Sequence, residues 1–172
     1  MLTSGSPIVE FYSAIMKNNR IQATYEHLSD SLPLQIEKRV IDVLDLLMSN
    51  LGLNGRVLSL YFCSVETMIQ LNGTYRNREK QTDLLSWIYQ DGDAESITPE
   101  EPWGELVYCL EVIQKQAAAS GWDLQDELLR LTVHGLTHLL GYDHEEEADE
   151  AVMLAFEKNL LQQIGLAGVY EP

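Results

Sequence analysis

The chain has 172 residues, 45% of them hydrophobic, which fits one globular domain that buries roughly 70% of its unfolded surface. Its 27 acidic residues outnumber the 11 basic ones, and the net charge of −16 excludes general binding of polyanions over the surface. No apolar run reaches the length of about 18 residues that a membrane span needs, and the unpaired Cys63 and Cys109 predict buried thiols in a reducing, cytoplasmic compartment.

The N-terminal part of the chain predicts an extension, a strand and a helix. Residues 1–19 hold one short apolar patch among small and polar residues, and we interpret them as an N-terminal extension. The alternating pattern of residues 20–27 predicts an edge strand. Apolar residues recur at helical spacing over 34–48, behind Ser31 as a candidate cap, and predict a helix that faces the core.

The middle of the chain predicts three further strands. The apolar, β-prone run at 57–63 is typical of a central strand. A short helix is expected over 64–73. Strands are predicted at 84–87 and 104–110, and the acidic, proline-containing residues 90–103 between them predict a surface loop.

Three helices complete the prediction. An alanine-rich helix over 112–120 ends at Gly121, and a second opens at 122–123 and carries two histidines. The last helix follows residue 144, with Asp143 as a candidate cap and carboxylates in the first turn, where they suit the positive end of the helix dipole. Strands and helices alternate without a glycine-rich phosphate loop. The sequence therefore predicts an α+β fold, a single domain with a small mixed sheet covered by helices.

One basic cluster stands out in this acidic chain. Arg76, Arg78 and Lys80 fall within five positions. On charge alone, a solvated loop explains such a cluster better than a binding site does.

Three of the four histidines lie within eleven positions and predict a metal site. His134 and His138 are four residues apart, so in a helix they lie on one face about 5–6 Å apart. Gly141 can take the left-handed conformation that ends a helix and could bring His144 round as a third ligand. Three imidazoles leave one position of a tetrahedral Zn²⁺ open, as in catalytic zinc sites.

The spacing of these residues equals that of the metzincin protease motif, H-E-x-x-H-x-x-G-x-x-H. The glutamate that serves as general base in that motif is replaced here by Gly135, which has no side chain to accept a proton. The sequence therefore still predicts a metal site, but it lacks the general base of a metzincin protease.

The chain resembles the YbeY group of bacterial metal-dependent endoribonucleases over residues 20–164, which leaves a C-terminal tail at 165–172. The resemblance rests on the histidine segment 134–144, on Leu-Asn and Tyr-Arg in 71–76 followed by Thr-Asp-Leu-Leu-Ser at 82–86, and on Gly-Glu-Leu-Val at 104–107. Family members often have Phe-Pro after the serine and aspartate after the glycine. Here Trp87-Ile88 and Glu105 stand in those places.

The resemblance implies a role for each candidate residue. It implies one Zn²⁺ per chain, or another divalent metal, on His134, His138 and His144. Arg76 is similar to the functional arginine of the family, and a guanidinium can grip a phosphate through two hydrogen bonds. Arg78 and Lys80 are weaker candidates for contacts with the RNA backbone, and Asp143 could be a proton relay or only a cap.

The implied activity is that of a single-strand-specific, zinc-dependent endoribonuclease. It would act in ribosomal RNA maturation at the 3′ end of the small-subunit RNA and in ribosome quality control. The implied partners are ribosomal RNA and the ribosome or a ribosomal protein, with neither DNA nor a membrane. Two alternatives stay open: a metzincin-like metalloprotease with a base from elsewhere in the chain, and a non-enzymatic ribosome-assembly adaptor stabilised by its metal.

Overall fold

The computed structural model describes residues 20–27, 31–89, 101–142 and 147–168, with only the backbone of 147 and 148. The predictions for the extension at 1–19, for most of the loop at 90–103, and for Asp143 and His144 lie outside these residues.

The described elements form a four-stranded sheet and five helices. In chain order they are β1 (Arg20–Tyr25), α1 (Leu34–Asn50), β2 (Val57–Cys63), α2 (Val65–Arg76), β3 (Leu84–Ile88), β4 (Gly104–Cys109), α3 (Leu110–Ser120), α4 (Leu124–Leu139) and α5 (Glu147–Gln163). The strand order is β1-β2-β4-β3. Strands β1, β2 and β4 are parallel, whereas β3 is antiparallel to β4. The mixed α+β sheet, the edge position of β1 and the internal position of β2 are confirmed.

Helix α4 lies at the centre of the domain. It contacts β3 and β4 on one side, and α1, α3 and α5 around it. Most of its length is buried, including the polar Thr132, whose hydroxyl is 2.9 Å from that of the buried Tyr108. A helix surrounded in this way has little freedom to shift, so the side chains on its remaining face are held in place.

Helix α2 is longer than predicted. It was expected to end near Gly73 but continues to Arg76, because glycine is tolerated within a helix and the stop comes at Asn77, whose left-handed backbone has a φ of 53°. The N–H groups of Asn77 and Arg78 close the end by bonding the carbonyls of Gly73 and Asn72. Arg76 therefore lies in the last turn of a helix.

Two local predictions were wrong. Ser31 does not cap α1, because it lies two residues before the actual N-cap, Pro33, which makes no side-chain cap bond. Trp103 was assigned to a surface loop but is buried, since its indole packs in the core beneath the Arg56 guanidinium. The backbone N–H of Trp103 also donates a hydrogen bond to the carbonyl of Val57 at 2.7 Å.

Gly135 is the point at which α4 meets the sheet. A Cβ added there would lie 2.7 Å from a methyl of Leu106 and 3.0 Å from a methyl of Leu84, closer than carbon atoms pack. The glycine that interrupts the metzincin motif is thus required by the packing of α4 on β3 and β4.

Gly135→Glu restores the glutamate of the metzincin motif. We expect it to lower the free energy of unfolding by about 3–5 kcal/mol, because it forces an unpaired carboxylate into a filled core. Urea denaturation followed by circular dichroism measures this change. Gly168→Glu is the matched control, since nothing lies within 4 Å of a Cβ added there. Equal stability of the two variants would contradict the close contact at Gly135.

Candidate active site

His134 and His138 lie one turn apart on the same face of α4. Their rings meet edge to face with centroids 4.5 Å apart, and the two Nε2 atoms are 3.1 Å apart. Helical periodicity alone brings the two residues to one face. The tertiary structure turns the two Nε2 atoms toward each other.

The other nitrogen of each ring has an acceptor. His134 Nδ1 is 2.6 Å from Oε1 of Glu157 on α5, and His138 Nδ1 is 3.0 Å from the carbonyl oxygen of Tyr142. A carbonyl oxygen and an ionised carboxylate only accept hydrogen bonds, so we assign the proton of each neutral ring to Nδ1. The lone pairs of both Nε2 atoms then point into the space between the rings.

Gly141 makes the turn that the sequence predicted. Its φ is +89°, its N–H bonds the carbonyl of His138 at 2.9 Å, and the N–H of Tyr142 reaches the carbonyl of Thr137 at 3.3 Å. The Tyr142 ring stacks on Phe156 of α5 with centroids 4.6 Å apart. The turn thus fixes the carbonyl that holds the His138 ring.

This pair of nitrogens fits a divalent metal ion. Two neutral imidazoles whose lone pairs converge repel each other unless a cation lies between them, and two nitrogens on a tetrahedral Zn²⁺ are roughly 3.3 Å apart, given bonds of about 2.0–2.1 Å. Within the described ranges no group of three His, Cys, Asp or Glu side chains is placed to hold a metal. The third predicted ligand, His144, lies outside those ranges, so the metal site stays a prediction.

A groove of about 1020 Å³ runs beside the two histidines. One side is α4, and the other is the end of α2 with the loop that follows, so Arg76 and Arg78 line the same groove as His134 and His138. Lys80 is not among the lining residues; its carbonyl accepts a hydrogen bond from the Asn72 side chain at 2.9 Å. The structure thus brings two of the three predicted cations to the histidines.

Sequence reasoning missed a third arginine in this groove. Arg130 lies four residues before His134, so the spacing that joined the histidines also places it on their face. Glu127 holds its guanidinium through two hydrogen bonds, at 2.7 Å and 3.0 Å, and the Glu127 side chain is only 4% exposed. A guanidinium held in this way is pre-oriented toward the groove.

Glu157 was also missed. It is a buried carboxylate on a helix whose other buried positions over 149–163 are apolar, namely Met153, Leu160 and Leu161. The signal was present in the sequence, because residue 157 falls in the apolar stripe of the last helix. Its partner, His134, is 23 residues away and could only be identified from the fold.

The two cysteines are buried free thiols, as predicted. Burial, reinforced by the nearby Cys109, raises the pKa of Cys63 to about 12, and burial also raises the pKa of Cys109. Both therefore stay protonated at neutral pH and are poor nucleophiles and metal ligands.

The fold and the site together define an α+β protein whose central helix presents paired histidines to an arginine-lined groove. The chain matches the family model described as Endoribonuclease YbeY over residues 21–165. It therefore belongs to the YbeY endoribonuclease family, which confirms the resemblance seen in the sequence. Among the described residues, no helix has both the length and the apolar character to span a membrane.

Individual relatives support this membership. Endoribonuclease YbeY of Cereibacter sphaeroides is 35% identical over 67% of this chain and 77% of its own length. That of Synechococcus sp. is 40% identical over 67% of this chain and 73% of its own length. A solution structure of a Thermotoga maritima protein, 20% identical, superposes with a TM-score of 0.51 over 85% of this chain and 88% of its own, which supports the fold alone.

We expect His134→Ala, His138→Ala and His144→Ala each to lose most of the bound metal, because two imidazoles hold a labile divalent ion weakly. Thermal unfolding of the His138 and His144 variants should change little, since the apolar core does not depend on the ion. His134→Ala should also lower the melting temperature, because it removes the contact that compensates the buried Glu157 carboxylate. Metal content after gel filtration, measured by mass spectrometry, checks the first statement. The control is His27→Ala, whose side chain is 61% exposed. Full metal stoichiometry in any of the three variants would refute the ligand set.

Proposed function

We propose that this protein is a metal-dependent endoribonuclease that cuts single-stranded RNA. We further propose that it acts in the cytoplasm on ribosomal RNA, at the 3′ end of the small-subunit RNA, and in ribosome quality control. The observation that carries the proposal is that Arg76 shares one groove with the paired Nε2 atoms of His134 and His138, in a chain of the YbeY family.

Cleavage of a phosphodiester requires an activated water, positive charge at the phosphorane oxygens and a fixed position for the strand. A Zn²⁺ or another divalent ion held by His134, His138 and His144 would supply a Lewis acid and a bound water with a pKa of about 7. The protein side chains supply the other two requirements.

The arginines of the groove bind and orient the phosphate. Arg76, Arg78 and Arg130 put three guanidiniums around the histidines in a chain whose net charge is −16. Each can present two parallel donors to phosphate oxygens. We assign the transition-state clamp to Arg76, and to Arg78 the weaker contact with the backbone of the strand. Lys80, outside the groove lining, can at most reach a more distant phosphate.

The shape of the groove favours an unpaired strand. Its volume of about 1020 Å³ is at the upper end of small-molecule pockets, so it can accept more than one nucleotide. Unpaired nucleotides can be splayed out to reach such a site, whereas those of a duplex cannot. Asp143 stays a candidate for a proton relay or a helix cap.

The close packing at Gly135 argues against the metalloprotease alternative. The position of the missing glutamate faces Leu106 and Leu84 with no space for a side chain. The adaptor alternative predicts a closed metal site that exchanges slowly. Loss of RNA cleavage on mild chelation, with recovery on adding metal back, would favour the enzyme over the adaptor.

A second groove fits the proposed ribosomal protein partner. It encloses about 410 Å³ on the other side of β3, where Trp87 alternates with the groove residue Ser86. Tyr75 and Tyr89 are 64% and 55% exposed there, and the Glu105 carboxylate accepts a hydrogen bond of 2.6 Å from the Tyr89 hydroxyl. Exposed aromatic rings around a carboxylate suit the arginine or lysine side chains of a basic protein.

We expect Glu105→Gln to weaken binding to purified small ribosomal subunits about tenfold, because it removes the one charge among the residues lining this groove. Cleavage of a short single-stranded RNA should be unchanged. Glu66→Gln, at an exposed position of α2, makes the same change in net charge and serves as the control. An equal effect of both variants on subunit binding would mean that net charge alone matters.

We expect Arg76→Lys to retain metal binding and to lower the cleavage rate by about one to three orders of magnitude, because lysine keeps the charge but loses the two-pronged geometry. Single-turnover rates on a ribosomal RNA fragment, at equal zinc occupancy, provide the measurement. Arg20→Lys, exposed on β1, is the control. If the Arg76→Lys rate is within twofold of wild type, Arg76 is a solvated arginine and not the clamp.

A further inference from the structure

Glu157 is a carboxylate placed where a helix buries its apolar face. Its side chain is only 5% exposed, and α5 packs on α4 through this region. Removing a charged group from water costs several kcal/mol unless a partner compensates it. Its Oε1 lies 2.6 Å from Nδ1 of His134, which provides that compensation.

The same contact determines whether Nε2 of His134 can bind an ion. A neutral imidazole carries one proton, and an Nδ1–H that donates to Glu157 leaves Nε2 with its lone pair. In the opposite tautomer, Nε2 would carry a hydrogen directed at the Nε2 of His138, 3.1 Å away, and could not ligate an ion. The carboxylate thus selects the tautomer that a metal site requires.

The two histidines are held by different parts of the fold. The turn after Gly141 holds His138, through the carbonyl of Tyr142, whereas α5 holds His134. A backbone carbonyl survives any substitution of the residue that carries it. The anchor of His134 is a side chain and can be removed by mutation without altering the turn.

We propose that Glu157 is a positioning residue of the metal site: by accepting the Nδ1–H of His134, it fixes the tautomer and the ring orientation of that ligand. This inference rests on the proposed function, because it concerns the affinity of the proposed metal site. Outer partners of ligating histidines typically change metal affinity by about 10–100-fold. Glu157 thereby makes α5 part of the site.

Two variants separate positioning from folding. Glu157→Gln keeps the size and an acceptor oxygen but replaces a charged hydrogen bond with a weaker neutral one, so we expect an increase of about tenfold in the Kd for Zn²⁺. Glu157→Leu removes the acceptor and leaves an apolar side chain in an apolar interface, and we expect an increase of about 100-fold without loss of the fold. Glu150→Gln, exposed on the same helix, is the matched control and should bind like wild type.

The experiment uses the full chain stripped of metal. Competition with a chromophoric chelator at neutral pH gives the Kd for Zn²⁺, and nitrogen-15 NMR of labelled histidines reports the tautomer of each ring. We expect His134 to be the Nδ1–H tautomer in wild type and to lose that preference in Glu157→Leu, while His138 keeps its tautomer in both. Circular dichroism melting confirms that the variants are folded.

The outcomes distinguish this inference from the proposed function. Wild-type zinc affinity and an unchanged His134 tautomer in both Glu157 variants would overturn the positioning role and leave the metal site standing. A wild-type protein that takes up no zinc or other divalent metal would contradict the proposed function, and the positioning role with it. An equal loss of affinity in Glu150→Gln would show that the effect comes from net charge.

Discussion

The structure depends on the close packing of α4 against β3 and β4. Two glycines make it possible, one on each side of the contact. At Gly135 of the helix, an added Cβ would collide with Leu106 and Leu84, and at Gly104 of the sheet it would lie 3.0 Å from the Trp87 carbonyl and 3.2 Å from a methyl of Leu139. Since the glycine side of α4 must face the sheet, the adjacent face is turned to the groove beside β3. His134 and His138 occupy that face, so the orientation of the site follows from the packing of the core.

The site combines elements that are distant in the sequence. Helix α4 supplies the paired histidines, the end of α2 supplies Arg76, and α5 supplies the carboxylate that holds His134. The position of Arg76 depends on Asn77, whose left-handed conformation ends α2 just after the arginine. A carboxylate is costly to bury without a partner, and Glu157 has His134. The elements that carry them pack on apolar clusters of buried residues, so the frame of the site does not depend on a bound ion.

The charge distribution separates two kinds of surface. The chain as a whole repels polyanions, but the groove gathers Arg76, Arg78 and Arg130 beside the histidines. Long-range attraction of RNA is therefore weak, and binding relies on contacts at short range, where bidentate guanidinium bonds are strongest. On the other side of β3, exposed aromatic rings surround Glu105, and the local charge is negative. One strand thus separates a groove that gathers arginines from a groove lined by the Glu105 carboxylate and aromatic rings.

The sequence by itself determined the local features of this protein. Hydrophobic periodicity located the nine described elements to within a few residues, and the i, i+4 spacing with Gly141 placed two histidines on one helix face before a turn. These features depend on near neighbours in the chain, so a linear pattern contains them. The end of α2 was predicted too early because Gly73 was read as the helix terminator. The helix ends instead at Asn77, whose backbone is left-handed.

Only the tertiary structure decided which distant residues meet. The contact of Glu157 with His134, the burial of Trp103 and the exclusion of a side chain at Gly135 each arise from elements far apart in sequence. The same holds for the separation of Lys80 from the groove that Arg76 and Arg78 share. The charge pattern of the sequence shows that Arg76, Arg78 and Lys80 are close along the chain. It does not show which way the backbone turns between them. That direction is determined by the packing of helices on the sheet, in which every element constrains the others at once.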